Sequence, residues 1–256
     1  HSITAALLMR TIIWQQRQLH VQVKVPPIRG NIRTFWYSHI KPVLGRTGVL
    51  SKTDYKDMIK TFTHLVKDLD LMRYKDFGFT DDNQYLRKIG KNHHIILFAE
   101  KSGQYSFLED MNKKYGITVV ALGGQPSVMS AEYFVDELKS KGIDIRQKFH
   151  IFTLVDYDTS GWIIRDAFLD DIQFYGLGRL EVQDLVLPSL LDQETRDMQK
   201  YPLPDSPTMQ EKNRKWMAQT NGIDGELYGL ESEAIPKETL EKLFATKIKD
   251  LLGKSK

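Results

Sequence analysis

The chain contains no cysteine. Disulfides and thiolate metal sites are therefore excluded, so any metal must be held by oxygen or nitrogen ligands. The absence also accords with a reducing, cytoplasmic setting. Charge of one sign is not in excess: 36 Lys and Arg against 33 Asp and Glu leave a formal net charge of +3. Whole-chain charge therefore neither demands nor forbids a nucleic-acid partner, and a DNA-binding surface would have to come from local clustering. There is no apolar run near the ~18 residues of a membrane span, so no membrane partner is expected. The opening residues lack the cleavage pattern of a signal peptide. There is no repeat of fixed period and no low-complexity segment. A phosphate-binding loop of the Gly-x4-Gly-Lys-Ser/Thr kind is missing as well.

What is present is a chain of 256 residues, 41% hydrophobic and 27% charged. That is ordinary for a soluble globular protein and allows one large domain or two small ones. Residues 1–90 read as mostly helical. "TAALLMRTIIWQQRQLHVQV" has apolar residues at helical spacing, and "VPPIRGN" interrupts it. "IRTFWYSHI" reads as a short aromatic-rich helix or turn that stops near Pro42. "SKTDYKDMIKTFTHLVKDLDL" places Ser51 and Asp54 in capping-box spacing ahead of a periodic helix. "MRYKDFGFTDDNQYLRKIG" has the aromatic and glycine content of a small wing or loop. Short helices plus a wing make a winged-helix-like α module the expectation for this part.

From residue 91 the rhythm becomes strand–helix alternation, so the fold class is α/β. "HHIILFAE", "TVVALGG" and "KFHIFTLVD" read as strands. "YSFLEDMNKKYG", "SAEYFVDELKSKG" and "SGWIIRDAFLDDI" read as their helices. Continuous apolar runs point to strands buried on both faces, hence a mainly parallel, Rossmann-like sheet. Functional groups in such sheets gather at the carboxyl ends of the strands. Here those ends carry Glu100, Gly123-Gly124, and Asp156 with Asp158.

An Asp-x-Asp after a strand is, by itself, an ordinary cap and solvated turn, with Asp158 capping a helix from about Ser160. A glutamate closing another strand of the same sheet makes it a candidate site. Carboxylates that close cannot all stay ionised unless a cation neutralises them or one takes a proton. Hard oxygen ligands favour magnesium, manganese or calcium. Glu100, Asp156 and Asp158 are the candidate ligands, for magnesium or manganese. Alanine at any of them is expected to leave the fold intact, by relieving repulsion. His93 and His94, adjacent in a strand, would point to opposite faces and do not make a zinc pair. Lys101 reads as a phosphate contact or a solvated lysine.

"ILFAEKSGQYSFLEDM", "ALGGQPSVMSAEYFVDEL" and "HIFTLVDYDTSGWIIRDAF" resemble the three core motifs of a Toprim domain. More narrowly they resemble the A subunit of topoisomerase VI and the related meiotic double-strand-break protein. Glu100-Lys101 matches that family's Glu-Lys, and Gly124-Gln125-Pro126 its Gly-x-Pro. Asp156, Asp158 and Gly161 match its Asp-x-Asp-Pro-x-Gly. Thr159 departs from the family's proline, and "SVMSAEYF" lacks an arginine common after Gly-x-Pro. The C-terminal "NGIDGELYGLESEAIPKETL" is similar to a region that follows the Toprim core, so the resemblance covers roughly residues 28–245. It is nearest to the small, free-standing Mini-A relatives.

The resemblance implies a winged-helix-like module over 1–90 and a Toprim domain with a C-terminal helical extension over 91–256. It also implies a catalytic tyrosine in the first module, after an arginine, two variable residues and an aromatic. "RTFWYSHI" fits, with Arg33 and Tyr37. Without the family, Phe35-Trp36-Tyr37 reads as packed aromatics, and Arg33 as a surface charge or phosphate clamp. The implied activity is a DNA-cleaving transesterase or topoisomerase. Tyr37 attacks a phosphodiester, Arg33 supplies positive charge, and Glu100, Asp156 and Asp158 hold the metal. Double-stranded DNA, a homodimer and a separate ATPase subunit are the implied partners. Two other readings stay open: a Toprim nuclease with water as nucleophile, and a non-catalytic DNA-binding relative.

Overall fold

The computed structural model describes residues 2–23, 30–49, 54–123 and 127–252. Ser51 and the Gly124-Gln125-Pro126 turn singled out above lie outside the described residues. The chain divides into two compact units, one of residues His1–Asp82 with Val128–Tyr133, the other of Asn83–Ser127 with Phe134–Lys256.

The first unit is helical. Helix α1 (Ser2–Val23) buries Ala5, Met9 and Ile13, residues four apart and so stacked on one helix face. Asn31 opens the next helix by accepting a hydrogen bond from the Thr34 amide, the ordinary N-cap arrangement. That helix runs as α2 (Ile32–Phe35), a π turn over Trp36–Ile40, and α3 (Lys41–Arg46). It does not stop near Pro42 as expected. The Lys41 amide bonds back to the Trp36 carbonyl, five residues earlier. This wider turn lies just ahead of Pro42, which has no N–H to give and whose ring crowds a tighter turn. Helix α4 (Tyr55–Thr63) opens on a reciprocal box of Asp54 and Asp57.

The core of this unit is aromatic. Phe35 meets Phe62, Phe77 and Phe79 at ring separations of 5.7–5.8 Å, all edge-on, a favoured geometry. Glu132 is buried at 1% exposure and accepts the amides of Tyr74 and Lys75 at 3.0 and 2.8 Å. The aromatic segment read as a wing forms a 3-10 turn over Tyr74–Phe77. Among the described residues, 2–82 contain no β-strand.

The second unit is a mixed α/β fold around a mostly parallel sheet. Its strands are β1 (Arg87–Lys88), β2 (Asn92–Ala99), β3 (Ile117–Ala121), β4 (Phe149–Leu154) and β5 (Leu180–Asp184), in the order β1-β3-β2-β4-β5. Only β1, on β3, is antiparallel. The helices are α5 (Tyr105–Tyr115), α6 (Ser127–Ser140), of which Val128–Tyr133 counts with the first unit, α7 (Thr159–Phe174), α8 (Gln193–Gln199), α9 (Gln210–Thr220) and α10 (Lys237–Leu252). Alternate residues of β2 serve opposite faces. Ile95, Leu97 and Ala99 join a core with Leu108 of α5 and Phe244 of α10. Phe98 stacks on Phe168 of α7 at 4.4 Å. Both faces are covered, which explains the continuous apolar runs. Among the described residues no helix is long and apolar enough to cross a membrane.

Candidate metal centre

β2 is flanked by β3 on one side and β4 on the other. The chain leaves β2 for β3 and returns to β4, so the sequence order reverses between β2 and β4. In open parallel sheets that switch point opens the crevice where ligands bind. Ala99 and Leu154 are in register there, and the next residues carry the chemistry.

A third segment completes the edge. Tyr228–Gly229 pairs with Tyr201–Pro202 as a small antiparallel sheet. Leu230 then exchanges backbone bonds with Tyr157 at 2.8 and 3.0 Å. This pairing fixes Glu231, Ser232 and Glu233 beside the exit of β4. The Ser232 amide donates to Asp156 Oδ1 at 2.9 Å, and Gln104 donates to Ser232 Oγ at 3.3 Å.

Asp156, Glu231 and Glu233 form the one group of acidic or histidine ligands among the described residues whose atoms converge within 4.8 Å. The set can in principle hold a divalent cation, and its all-carboxylate chemistry suits a hard one. Lys101 lies at its centre. The ammonium is 3.0 Å from Asp156 Oδ2, 2.5 Å from Glu231 Oε2 and 2.9 Å from Glu233 Oε2. Burial works against its charge, but the bonds to Glu231, Glu233 and Asp156 outweigh it and hold the ammonium above the usual lysine range.

Glu100 is half-buried one residue earlier. Burial first, then the charges of Asp156 and Asp158, push its carboxyl up to about 7, against the pull of Lys101. Its Oε2 is buried without a hydrogen-bond partner. A buried carboxyl oxygen left unpaired beside other carboxylates is a site that a proton or a cation would satisfy.

Asp158 is occupied differently. Its Oδ1 accepts the Gly161 amide at 2.6 Å, capping α7, and its Oδ2 accepts the Tyr201 hydroxyl at 2.8 Å. Thr159, at the first helical position where proline is also favoured, donates to Asn213 at 2.8 Å. Gly161 is required by a close approach: a Cβ there would lie 2.5 Å from the Asp156 carbonyl oxygen. Alanine at Asp156 or Asp158 thus removes hydrogen bonds as well as repulsion, whereas Glu100 Oε2 has none to lose.

Tyr37 belongs to the first unit. The aromatic run divides: Phe35 and Trp36 are 0% and 4% exposed, Tyr37 is 52% exposed. The cation in contact with its ring is Lys41, at 5.1 Å from the centroid. Arg33, also exposed, places its guanidinium 5.7 Å over the Tyr55 ring. His93 and His94 sit at the other end of the sheet from the acids, in the first residues of β2.

Sequence reasoning brought Glu100, Asp156 and Asp158 to one sheet edge. It missed Glu231 and Glu233, whose only signal was their place in the C-terminal segment already noted. No family model matches this chain, and no curated protein matches it.

Proposed function

We propose that this chain is a metal-dependent DNA-cleaving transesterase of the topoisomerase VI A type. It combines a winged-helix-like module over 1–90 with a Toprim domain over 91–256. The observation that carries the reading is the edge where β2 and β4 end. There Glu100, with an unpartnered buried oxygen, adjoins the converging carboxylates of Asp156, Glu231 and Glu233. Support also comes from the exposure of Tyr37 and from the motif resemblance.

Asp156, Glu231 and Glu233, with Glu100 beside them, would hold magnesium or manganese, which when bound stabilises charge on phosphate oxygens. Tyr37 oxygen, its phenolic proton passing to water, forms a bond to phosphorus as the bond to one sugar oxygen breaks, and the leaving oxygen takes a proton. Glu100, half-buried beside the cradle with one unpaired carboxyl oxygen, is the group placed to give that proton. Lys41 and Arg33 supply positive charge in the tyrosine's module. A two-fold homodimer on double-stranded DNA provides one tyrosine per strand, and a separate ATPase subunit would drive any strand passage.

The same Glu100 supports a second reading, a Toprim nuclease in which it activates water and Tyr37 is dispensable. Wild type and Tyr37→Phe are compared on supercoiled plasmid with manganese, with and without protease before electrophoresis. The transesterase reading expects a protease-sensitive DNA adduct in wild type only, with DNA affinity at matched salt retained in the variant. Equal nicking by both proteins without an adduct leaves the nuclease. Absence of any metal-dependent cleavage leaves a DNA-binding relative.

A further inference from the structure

We infer that Lys101 is the resident cation of the carboxylate cradle, and that a divalent ion enters by displacing its ammonium. The inference rests on the metal-dependent reading above and deepens it. Three carboxylates from two segments distant in sequence, Asp156 on one side and Glu231 and Glu233 on the other, converge on a single point. That point is filled by Lys101 Nζ, bonded to all three. The ammonium and a metal ion need the same oxygens, so they compete.

Lys101 is well placed for exchange. It lies two residues past β2, next to Glu100, whose amide bonds to the Leu154 carbonyl, so its backbone is held close to the sheet, while four methylenes let the head group swing. Its side chain is 32% exposed, so an exit to solvent exists. Glu231 and Glu233 are themselves half exposed, at 52% and 54%. A cradle holding its own cation keeps the site folded without metal, because uncompensated acids would otherwise repel. Once displaced, the ammonium is free beside a metal-bearing site, at the right place to meet an anionic phosphodiester.

The test uses wild-type protein. Lysines are acylated briefly with an amine-reactive ester, with and without manganese, and quantified by peptide mass spectrometry. Thermal melting follows manganese binding in parallel. Lys101 labelling should rise at least threefold with manganese, while Lys114, which pairs with Glu241 elsewhere, stays constant. A Lys101→Met variant should melt lower than wild type without metal and bind manganese at least tenfold more tightly. A manganese-induced rise in melting temperature with Lys101 labelling unchanged overturns the displacement and spares the metal reading. No manganese-induced rise in either protein overturns both. If Lys101→Met does not fold, the wild-type labelling decides alone.

Discussion

The Tyr201 hydroxyl donates to Asp158 Oδ2 at 2.8 Å while the Gly161 amide donates to Asp158 Oδ1 at 2.6 Å. Both oxygens of this acid are thus committed to the fold: one starts α7, the other ties it to the small β sheet. Burial, then the bond to Asp158, raises the Tyr201 phenol above its ordinary range, so it stays a donor. Asp158→Ala should lower stability by about 1–2 kcal/mol, the worth of a lost cap, and Tyr201→Phe by about 1 kcal/mol. Urea denaturation of both variants provides the check. A higher midpoint for Asp158→Ala would mean that relief of repulsion outweighs the cap.

Glu100 should behave oppositely. Its carboxyl ionises near 4.5 when unfolded and at about 7 when folded. The fold therefore favours the protonated form. That contribution is fully present below about pH 4.5 and is lost as pH rises through about 7. Glu100→Gln cannot ionise and should flatten this slope. Relative to the variant, wild type should lose roughly 1–2 kcal/mol across that window, allowing for solvent screening of a half-buried group. Denaturant midpoints measured with a chelator present, at several pH values, give the comparison. Parallel profiles would count against the raised carboxyl.

The aromatic run gives a third contrast. Phe35 is fully buried against three rings, so Phe35→Ala should cost about 3–5 kcal/mol. Tyr37, half exposed, should tolerate phenylalanine within about 0.5 kcal/mol. Thermal melts of the pair test this directly. A large loss for Tyr37→Phe would show that its hydroxyl is a structural bond.

Periodicity made the central strands legible because both their faces are covered. β3 is buried throughout, and its apolar run needs no polar alternation. β5 was missed for the opposite reason: at the sheet edge, "LEVQD" has exposed and half-buried positions and no apolar run to mark it. The helix through Pro42 was misread because a π turn can precede a proline, and sequence spacing carries no sign of that register change. In the site, Glu100, Asp156 and Asp158 could be found from their strands. Glu231 and Glu233 could not, since they reach the site through the backbone pairing of Leu230 with Tyr157. Lys101 looked like a surface lysine because two of its three partners, Glu231 and Glu233, lie 130 and 132 residues away in sequence.

Gly161 joins fold and site in one position. Within a helix, alanine is ordinarily favoured over glycine by about 1 kcal/mol. Here a Cβ would stand 2.5 Å from the Asp156 carbonyl oxygen and 3.0 Å from its amide nitrogen. Both are backbone atoms, which cannot swing aside as a side-chain end would. The clash should win, and Gly161→Ala should lose about 1–3 kcal/mol, the usual range for overpacking. The displaced atoms belong to Asp156, so the thermal shift produced by manganese should shrink as well. Gly103→Ala is the control: nothing lies within 4 Å of a Cβ there, though it stands two residues from Lys101. That variant should melt within about 0.5 kcal/mol of wild type and keep the full manganese shift. Calorimetric melts of both proteins, with chelator and then with manganese, measure the two effects together. Equal stability and equal manganese shifts for the two variants would mean that the β4 exit yields freely, and that Asp156 is not held in place by the start of α7.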